Sequence, residues 1–498
     1  MRVLMATPEI YGLAKTGGLG DVSAALPAAL AELGAETRVL LPAYPQALDA
    51  LEGSRTVARL GDPLGVGETR LLGGRIAPGG QSAWLVDCPD LFRRAGGLYQ
   101  DAAGADWPDN HLRFALLARV GALLCDRAAS PARWRPDVAH GNDWQTGLLP
   151  AYLAAAGSAR PATVFTIHNL AFQGLFPAQV FPHLGLPAAA FAVNGVEYYG
   201  QVSFLKAGIY YSDRLTTVSP TYAREIQTAP EGRGLEGLLA ARRGDLVGIL
   251  NGVDYGVWDP ATDRWLARTY GPQDLSGKAA CKAALQEQLG LAPAPDTPML
   301  AMIGRLTAQK GVDLLLDALP ALLAAGAQLA LLGSGEAALE QSLHEVAAAR
   351  PDSVAVHVGY DESLAHRIQG GADMILAPSR FEPCGLTHLY GMRYGTPPIA
   401  HRVGGLADTV TDATAATLGD DAATGFLFDA PTAAALRGAA ARALAMYRQP
   451  AAWRRLQFRA MRQDFGWPAA ARQYLALYNE LTPATAGRRR AKKGAAKS

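Results

Sequence analysis

The sequence predicts an α/β protein with two Rossmann-like, doubly wound domains that face each other across a cleft. Three observations predict this fold. The chain has 498 residues, which exceeds the size of one ordinary hydrophobic core. It opens as strand, Gly-rich turn, helix and strand within residues 2–42. The same alternation restarts at MLAMIGRL, residues 299–306, directly after the Pro-rich stretch LAPAPDTP.

These observations also predict the domain boundaries. We expect an N-terminal domain at residues 1–250 and a C-terminal domain at residues 251–465. A helical run at residues 466–482 is expected to return to the N-terminal domain. Residues 483–498, which contain GRRRAKKGAAKS, are expected to form a disordered basic tail.

Composition limits the classes of protein that are compatible with this chain. It is 49% hydrophobic and 18% charged, as is typical of a globular protein. The tail holds six of the 46 Lys and Arg residues. The rest of the chain has 40 Lys and Arg residues and 45 Asp and Glu residues, so it is slightly acidic. We therefore expect neither a nucleic-acid nor a membrane partner. The sequence shows no signal peptide and no membrane-spanning run, and its four cysteines are scattered, so a cytoplasmic protein is expected.

The first Gly-rich turn is a candidate anion site. It follows the strand RVLMA and precedes the helical run SAALPAALAELG, and it carries Lys15, Gly17, Gly18 and Asp21. Free backbone N–H groups and the helix dipole favour a phosphate there, and Lys15 adds a positive charge. The alternative is that the glycines only form a turn and that Asp21 complements the dipole.

Two further strands of this domain end in polar residues. The strand DVAH runs into the turn GNDW, in which Asp143 is either a functional group or the N-cap of the next helix. The strand in ATVFTIHNL ends at His168 and Asn169, and ligands of parallel sheets bind at such carboxyl ends. Residues 170–205 are irregular and aromatic, and the sequence allows either an acceptor-binding surface or a packed insertion.

The second domain carries cations and a carboxylate in two different loops. GRLTAQKG places Arg305 and Lys310 after one apolar strand, and SRFEPCGLTHLYG places Glu382 after another and before a helix. The cations can stabilise the charge on a departing phosphate, and the carboxylate can bind sugar hydroxyls. Alternatively, the cations are solvated and Glu382 caps a helix. Gly333-Ser334-Gly335 and Gly404-Gly405 are further candidate phosphate or ribose sites.

Several common site types are not supported by the sequence. No GxGxxG with a ribose acid follows the first strand, and no GxxxxGK[ST] is found, so dinucleotide and P-loop sites are not predicted. No Ser or Cys nucleophile motif and no metal-ligand spacing stands out. We expect no metal and no cofactor.

Six motifs together resemble a known family. KTGGLGDV, TIHN, GRLTAQKG, SRFEPCGLTHLYG, RVGGLADTV and TGFLF occur in the order found in ADP-glucose-dependent bacterial glycogen synthases and plant starch synthases. The resemblance runs from Lys15 to about Asn479. It implies the GT-B glycosyltransferase architecture, with an acceptor-side N-terminal domain and a donor-side C-terminal domain.

The resemblance implies a role for each candidate residue. Arg305 and Lys310 would neutralise the leaving diphosphate, Glu382 would bind glucose hydroxyls, and His168 would lie beside the sugar near C6. Asp143 would belong to the acceptor side, and Tyr360 would stack on adenine. The remaining residues would contact ADP-glucose: Lys15, Gly17, Gly18, Asp21, Asn169, Cys384, Gly385, Leu386 and Thr387.

The implied activity is transfer of glucose from ADP-glucose to the non-reducing end of an α-1,4-glucan, with retention of configuration. Two alternatives remain at this point. A GT-B-like nucleotide-sugar epimerase would need further acid and base groups around the sugar, beyond Glu382 and His168. A non-catalytic glucan-binding protein would be expected to lose the set of Lys15, Arg305, Lys310 and Glu382.

Overall fold

A computed structural model describes residues 1–77, 80–126, 130–157 and 160–482 of the protein. The predicted basic tail at 483–498 lies outside the described residues. The chain divides into two compact units. Unit 1 consists of Met1–Gly252 and the segment from Trp467 onward, and unit 2 is Val253–Gly466.

Unit 1 is built on a nine-stranded sheet with the order β12-β11-β7-β6-β1-β2-β5-β4-β3, beside a three-stranded sheet with the order β8-β10-β9. All pairings of the large sheet are parallel except β3 with β4 and β4 with β5. The strands are β1 (Arg2–Ala6), β2 (Glu36–Pro42), β3 (Leu51–Gly61), β4 (Thr69–Ile76), β5 (Gln81–Asp87), β6 (Val138–Asn142), β7 (Ala162–Ile167), β8 (Leu175–Pro177), β9 (Glu197–Tyr198), β10 (Gln201–Ser203), β11 (Arg214–Thr217) and β12 (Leu246–Gly248).

The helices of unit 1 follow the predicted alternation, with one shift at the first of them. They are α1 (Gly18–Glu32), α2 (Pro45–Ala50), α3 (Pro89–Phe92), α4 (Asn110–Leu124), α5 (Leu148–Ala155), α6 (Phe204–Tyr211), α7 (Pro220–Glu225) and α8 (Glu236–Ala241). The sequence predicted that the first helical run starts at Ser23, whereas α1 begins at Gly18. The glycines of the turn therefore form the first turn of the helix. Gly20 has a packing reason, since a Cβ there would lie 2.8 Å from Cγ of Lys15.

Unit 2 contains a six-stranded, entirely parallel sheet with the order β15-β14-β13-β16-β17-β18. Its strands are β13 (Met299–Ile303), β14 (Gln328–Gly333), β15 (Val354–Val358), β16 (Met374–Ala377), β17 (Pro398–His401) and β18 (Phe426–Phe428). Its helices are α9 (Ser276–Leu289), α10 (Val312–Ala324), α11 (Ala337–Ala349), α12 (Glu362–Gly371), α13 (Leu386–Arg393), α14 (Gly404–Thr409), α15 (Ala415–Gly419), α16 (Ala433–Tyr447) and α17 (Pro450–Met461). Strand and helix alternate as the sequence predicts, so the doubly wound α/β class is confirmed.

The last helix, α18 (Trp467–Leu481), completes the core of unit 1. Trp467, Tyr474 and Tyr478 pack in one cluster with apolar residues of β1 and α1. The Tyr478 hydroxyl also lies 2.7 Å from Nδ1 of the buried His140 on β6. In the described part of the chain, no helix is both long and apolar enough to cross a membrane.

Candidate active site

Lys310 and Glu382 form an ion pair in unit 2. Lys310 Nζ lies 2.5 Å from Glu382 Oε2, and the Ser379 hydroxyl donates to the same oxygen at 2.8 Å. Burial acts to raise the pKa of the Glu382 carboxyl, but the charge and hydrogen bond of Lys310 outweigh it and the pKa is lowered. Glu382 is therefore ionised and can only accept hydrogen bonds. The sequence placed these residues in two loops, and the structure brings them together.

The two loops are joined at several points of their backbones. The Arg380 N–H donates to the Gln309 carbonyl at 2.8 Å, and the Arg380 guanidinium binds both carboxylate oxygens of Asp313 at 2.8 and 2.6 Å. Gly311 takes φ +73°, and a Cβ there would lie 2.2 Å from the Pro378 carbonyl oxygen. The position of Lys310 beside Glu382 is thus fixed by the loops that carry them.

Arg305 lies in the same loop as Lys310, and its guanidinium donates to the Gln309 side chain at 3.1 Å. Two glycines at the end of β14 and just after it account for the path of this loop. A Cβ on Gly333 would lie 1.8 Å from the Gly304 carbonyl oxygen, and one on Gly335 would lie 2.2 Å from that of Leu306. These glycines let two backbones approach closely and position Arg305, a role that the sequence analysis missed.

The loop after Glu382 is held in the same way. A Cβ on Gly405 would lie 2.2 Å from the Cys384 carbonyl oxygen, and the Gly405 N–H donates to the Glu382 carbonyl at 3.0 Å. Cys384 is buried, and Gly385 takes φ +83° immediately before α13. Helix α13 begins with Leu386 and Thr387, and backbone N–H groups in a first helical turn have no intrahelical acceptor.

Tyr360 follows β15 and presents an exposed ring. It is 72% exposed, and its hydroxyl bonds to the Glu362 carboxylate. This exposure is compatible with the predicted stacking on adenine, which stays a prediction.

Lys15 in unit 1 forms an ion pair with Asp21, with 2.8 Å between Nζ and Oδ1. The backbone of Gly17 differs from the expectation. Its N–H donates to Glu9 Oε2 at 3.1 Å, and the Thr16 N–H donates to the same oxygen at 2.6 Å. The donor of Gly17 is therefore already used within the protein. The N–H of Gly18, the first residue of α1, lies in a first helical turn, where backbone N–H groups have no intrahelical acceptor and suit an anion.

Glu9 is a residue that the sequence analysis missed. Its carboxylate also accepts the Tyr99 hydroxyl at 3.0 Å, and burial raises its pKa. The only signal in the sequence was its place in the loop TPEIYGLAKTGG, six residues before Lys15. Glu9 holds the backbone of the turn from which Lys15 projects.

Asp143 and His168 meet at the ends of β6 and β7. Asp143 Oδ1 accepts the N–H groups of His168 at 2.8 Å and Asn169 at 3.4 Å. The N-cap interpretation is therefore wrong: Asp143, with φ +56°, makes no capping bond to the helical turn after it. Burial raises the pKa of Asp143 to about 7.

His168 is neutral near pH 7, since burial lowers its pKa to about 3. Its Nε2 lies 2.9 Å from the Asn142 side-chain oxygen, so Asn142 orients the ring. Asn169 turns its side-chain oxygen toward its own loop, where it accepts the Ala171 N–H at 3.0 Å. Within the described ranges, no group of three His, Cys, Asp or Glu side chains could hold a metal ion.

Comparison with known proteins identifies the family of this chain. Residues 2–241 match the family described as starch synthase catalytic domain, and residues 288–456 match glycosyl transferases group 1. The chain is 54% identical to a glycogen synthase from Paramagnetospirillum magneticum over 97% of this chain and 98% of that protein. The chain belongs to the glycogen and starch synthase family. Glucosyl transfer in glycogen synthesis follows from this membership, as the resemblance predicted.

Other relatives of the family agree. A glycogen synthase from Nitrosospira multiformis is 51% identical over 96% of this chain and 97% of its own length. The solved catalytic domain of starch synthase IV from Arabidopsis thaliana, bound to ADP and acarbose, has a TM-score of 0.87 at 32% identity. The structural alignment covers 97% of this chain and 99% of the starch synthase chain. This similarity confirms the two-domain GT-B fold.

Proposed function

We propose that the protein transfers glucose from ADP-glucose to the non-reducing end of an α-1,4-glucan, retains the anomeric configuration and releases ADP. The observation that carries this proposal is the ion pair between Lys310 and the ionised Glu382. In this pair, Lys310 is a cation suited to the leaving diphosphate, and Glu382 is a hydrogen-bond acceptor suited to the sugar hydroxyls. The ADP held by the starch synthase IV structure supports the adenine base.

Charge separation explains why this pair suits the reaction. Breaking the bond between glucose and phosphate puts negative charge on the diphosphate and positive charge on the sugar ring. An ammonium group has three N–H donors, so Lys310 can keep its bond to Glu382 and still donate to a phosphate oxygen. Arg305, on the same loop, supplies a second cation. We propose that the Glu382 carboxylate accepts hydrogen bonds from hydroxyls of the transferred glucose.

Unit 1 supplies groups that fit the donor and the acceptor. Lys15 and the first turn of α1 are suited to the donor phosphates, with Asp21 orienting the lysine. The neutral ring of His168 can lie beside the sugar without adding a positive charge that would oppose an oxocarbenium-like ring. Asp143 holds the His168 and Asn169 backbone and belongs to the acceptor side in this proposal.

We also propose that the transfer needs no metal and takes place in the cytoplasm. Fixed lysine and arginine donors can neutralise a leaving diphosphate without a cation from solution. The four cysteines are buried and form no disulfide with one another, which suits a reducing compartment.

A nucleotide-release assay tests the proposal. ADP-glucose and UDP-glucose are compared with glycogen as acceptor, with and without EDTA, beside a control without acceptor. Acceptor-dependent ADP release that survives EDTA is expected. Release from UDP-glucose alone would contradict the donor, loss of activity in EDTA would contradict metal independence, and release without acceptor would contradict transfer.

A further inference from the structure

The hairpin of β9 and β10 carries an aromatic residue in a backbone conformation that disfavours it. The strands pair through Tyr198 and Gln201, so the loop between them consists of Tyr199 and Gly200 alone. These two residues take φ +47° and φ +79°. Positive φ at both positions is what a type I′ turn requires, and such turns strongly favour Asn-Gly. A bulky residue with positive φ is strained.

Burial does not compensate this strain. The Tyr199 side chain is 79% exposed, so it gains little by removing apolar surface from water. Asparagine would give the same turn at lower conformational cost. The aromatic ring is therefore not explained by folding, which directs attention to a ligand.

The ring is nevertheless held in a defined orientation. Tyr198 meets it edge-on, with 4.7 Å between ring centroids and an interplanar angle of 89°. The Tyr198 hydroxyl donates to the Arg233 carbonyl at 2.7 Å, which fixes the supporting ring. At Gly234 a Cβ would lie 2.3 Å from that hydroxyl and 3.5 Å from Cε2 of Tyr199. Tyr199 thus forms a preorganised, solvent-facing platform.

The platform is connected to the loop that follows His168. The Gln173 side chain donates to the same Arg233 carbonyl at 3.0 Å, so the hairpin and this loop share one anchor. Phe172, next to Gln173, is itself 45% exposed. The hairpin and the loop that follows His168 are therefore fixed to the same backbone anchor in unit 1.

The charges near the tip are of both signs and are compatible with a neutral ligand. Glu197 accepts the Gly200 N–H at 2.7 Å, and Glu236 accepts the Gly234 N–H at 2.8 Å. The Lys206 ammonium donates to the Glu197 carbonyl, and Arg233 is a further cation beside these carboxylates, so no excess of positive charge marks the tip as an anion site. A pyranose ring instead presents an apolar C–H face, which an aromatic face can cover, and hydroxyls that remain in water.

We infer that Tyr199 is a glucan-binding subsite, on which a glucose unit of the acceptor chain stacks away from its reacting end. This inference rests on the proposed function for the identity of the ligand. The subsite retains the polymer, so its contribution is larger for glycogen than for a short maltooligosaccharide.

The test compares Tyr199→Asn with Tyr199→Phe, which keeps the ring face. Val193→Ala is the matched control, because Val193 is a similarly exposed apolar residue, at 76%, with no assigned role. For Tyr199→Asn we expect retention on glycogen in affinity electrophoresis to fall, and kcat/KM for glycogen relative to maltotriose to fall about fivefold. The thermal midpoint should rise by about 2 °C as the strain is relieved. Tyr199→Phe and Val193→Ala should behave as the wild type does.

Three results would overturn the inference: an unchanged glycogen-to-maltotriose ratio in Tyr199→Asn, an equal loss in Tyr199→Phe, or a self-association that Tyr199→Asn abolishes, which would make a second copy the occupant. The binding assay separates this subsite from the proposed function. A wild type that binds glycogen through Tyr199 but releases no nucleotide contradicts only the transferase proposal. An active wild type with an unaffected Tyr199→Asn contradicts only the subsite.

Discussion

At the scale of single residues, two lysines of the predicted site are held in ion pairs. Lys310 pairs with Glu382, and Lys15 pairs with Asp21, each with a partly or fully buried carboxylate. Removing one partner of a buried pair leaves an uncompensated charge and costs about 3–5 kcal/mol. A single substitution therefore changes both stability and chemistry, and a test of function must separate the two.

Lys310→Ala is expected to lower kcat about a hundredfold, because it removes a donor that acts most strongly in the transition state. It also leaves Glu382 without its ion-pair partner, so the thermal midpoint should fall. The double variant Lys310→Ala/Glu382→Gln removes that charge and should recover the midpoint without recovering kcat. Steady-state kinetics and thermal unfolding of both variants provide the measurements. Because Glu382 is itself a predicted site residue, the decisive kcat is that of Lys310→Ala, and a near-wild-type value there would limit Lys310 to a structural role.

At the scale of elements, the pair of Arg380 and Asp313 joins the loop after β16 to the first turn of α10. Its side chains are 36% and 40% exposed. Ion pairs at such exposure stabilise a fold by at most about 1 kcal/mol. We therefore expect the pair to act mainly by positioning, because it fixes the distance between the loops that carry Lys310 and Glu382.

Charge reversal tests this positioning role. Arg380→Asp and Asp313→Arg should each lower kcat about tenfold while the thermal midpoint changes by no more than about 2 °C. The double reversal restores the pair and should recover much of kcat. Arg59→Asp is the matched control, since it breaks the exposed pair with Glu68 on the hairpin of β3 and β4 and should leave kcat unchanged. A loss of kcat that is accompanied by a large fall of the thermal midpoint would argue against a positioning role. A double reversal that recovers no kcat would argue against it as well.

At the scale of the whole molecule, the chain leaves unit 1 at Gly252, forms unit 2 and returns to unit 1 at Trp467. Helix α18 supplies three buried aromatic side chains to the core around β1 and α1. Folding of unit 1 is thus incomplete until α18 has been made.

Two truncations test this dependence. A chain that ends at Gly466 lacks α18 but keeps every predicted catalytic residue, and we expect it to lose the cooperative unfolding of unit 1 and all transferase activity. A chain that ends at Thr482 keeps α18 and serves as the control, with wild-type unfolding and turnover expected. Thermal unfolding followed by circular dichroism measures the cooperativity of folding, and the nucleotide-release assay measures turnover. An active, cooperatively folded chain ending at Gly466 would show that α18 is dispensable.

The sequence by itself determined the alternation of strands and helices that defines both sheets, the loops that carry Arg305, Lys310 and Glu382, and the family. These features are local, since alternation of apolar runs and the spacing within a motif involve neighbouring residues. It did not predict the hairpin of β3 and β4, because most of β3 is exposed and its residues show no apolar alternation.

The tertiary structure alone decided which groups touch. Lys310 and Glu382 are 72 residues apart in the chain, and Asp143 and His168 are 25 apart. Glu9 takes the N–H of Gly17, and Gly333, Gly335 and Gly405 allow close approach of backbones, while their predicted contact with phosphate or ribose stays a prediction. A buried donor or acceptor binds whichever partner the fold brings within about 3 Å, and that partner depends on loop closure over many residues. Residue type and local spacing do not contain this information.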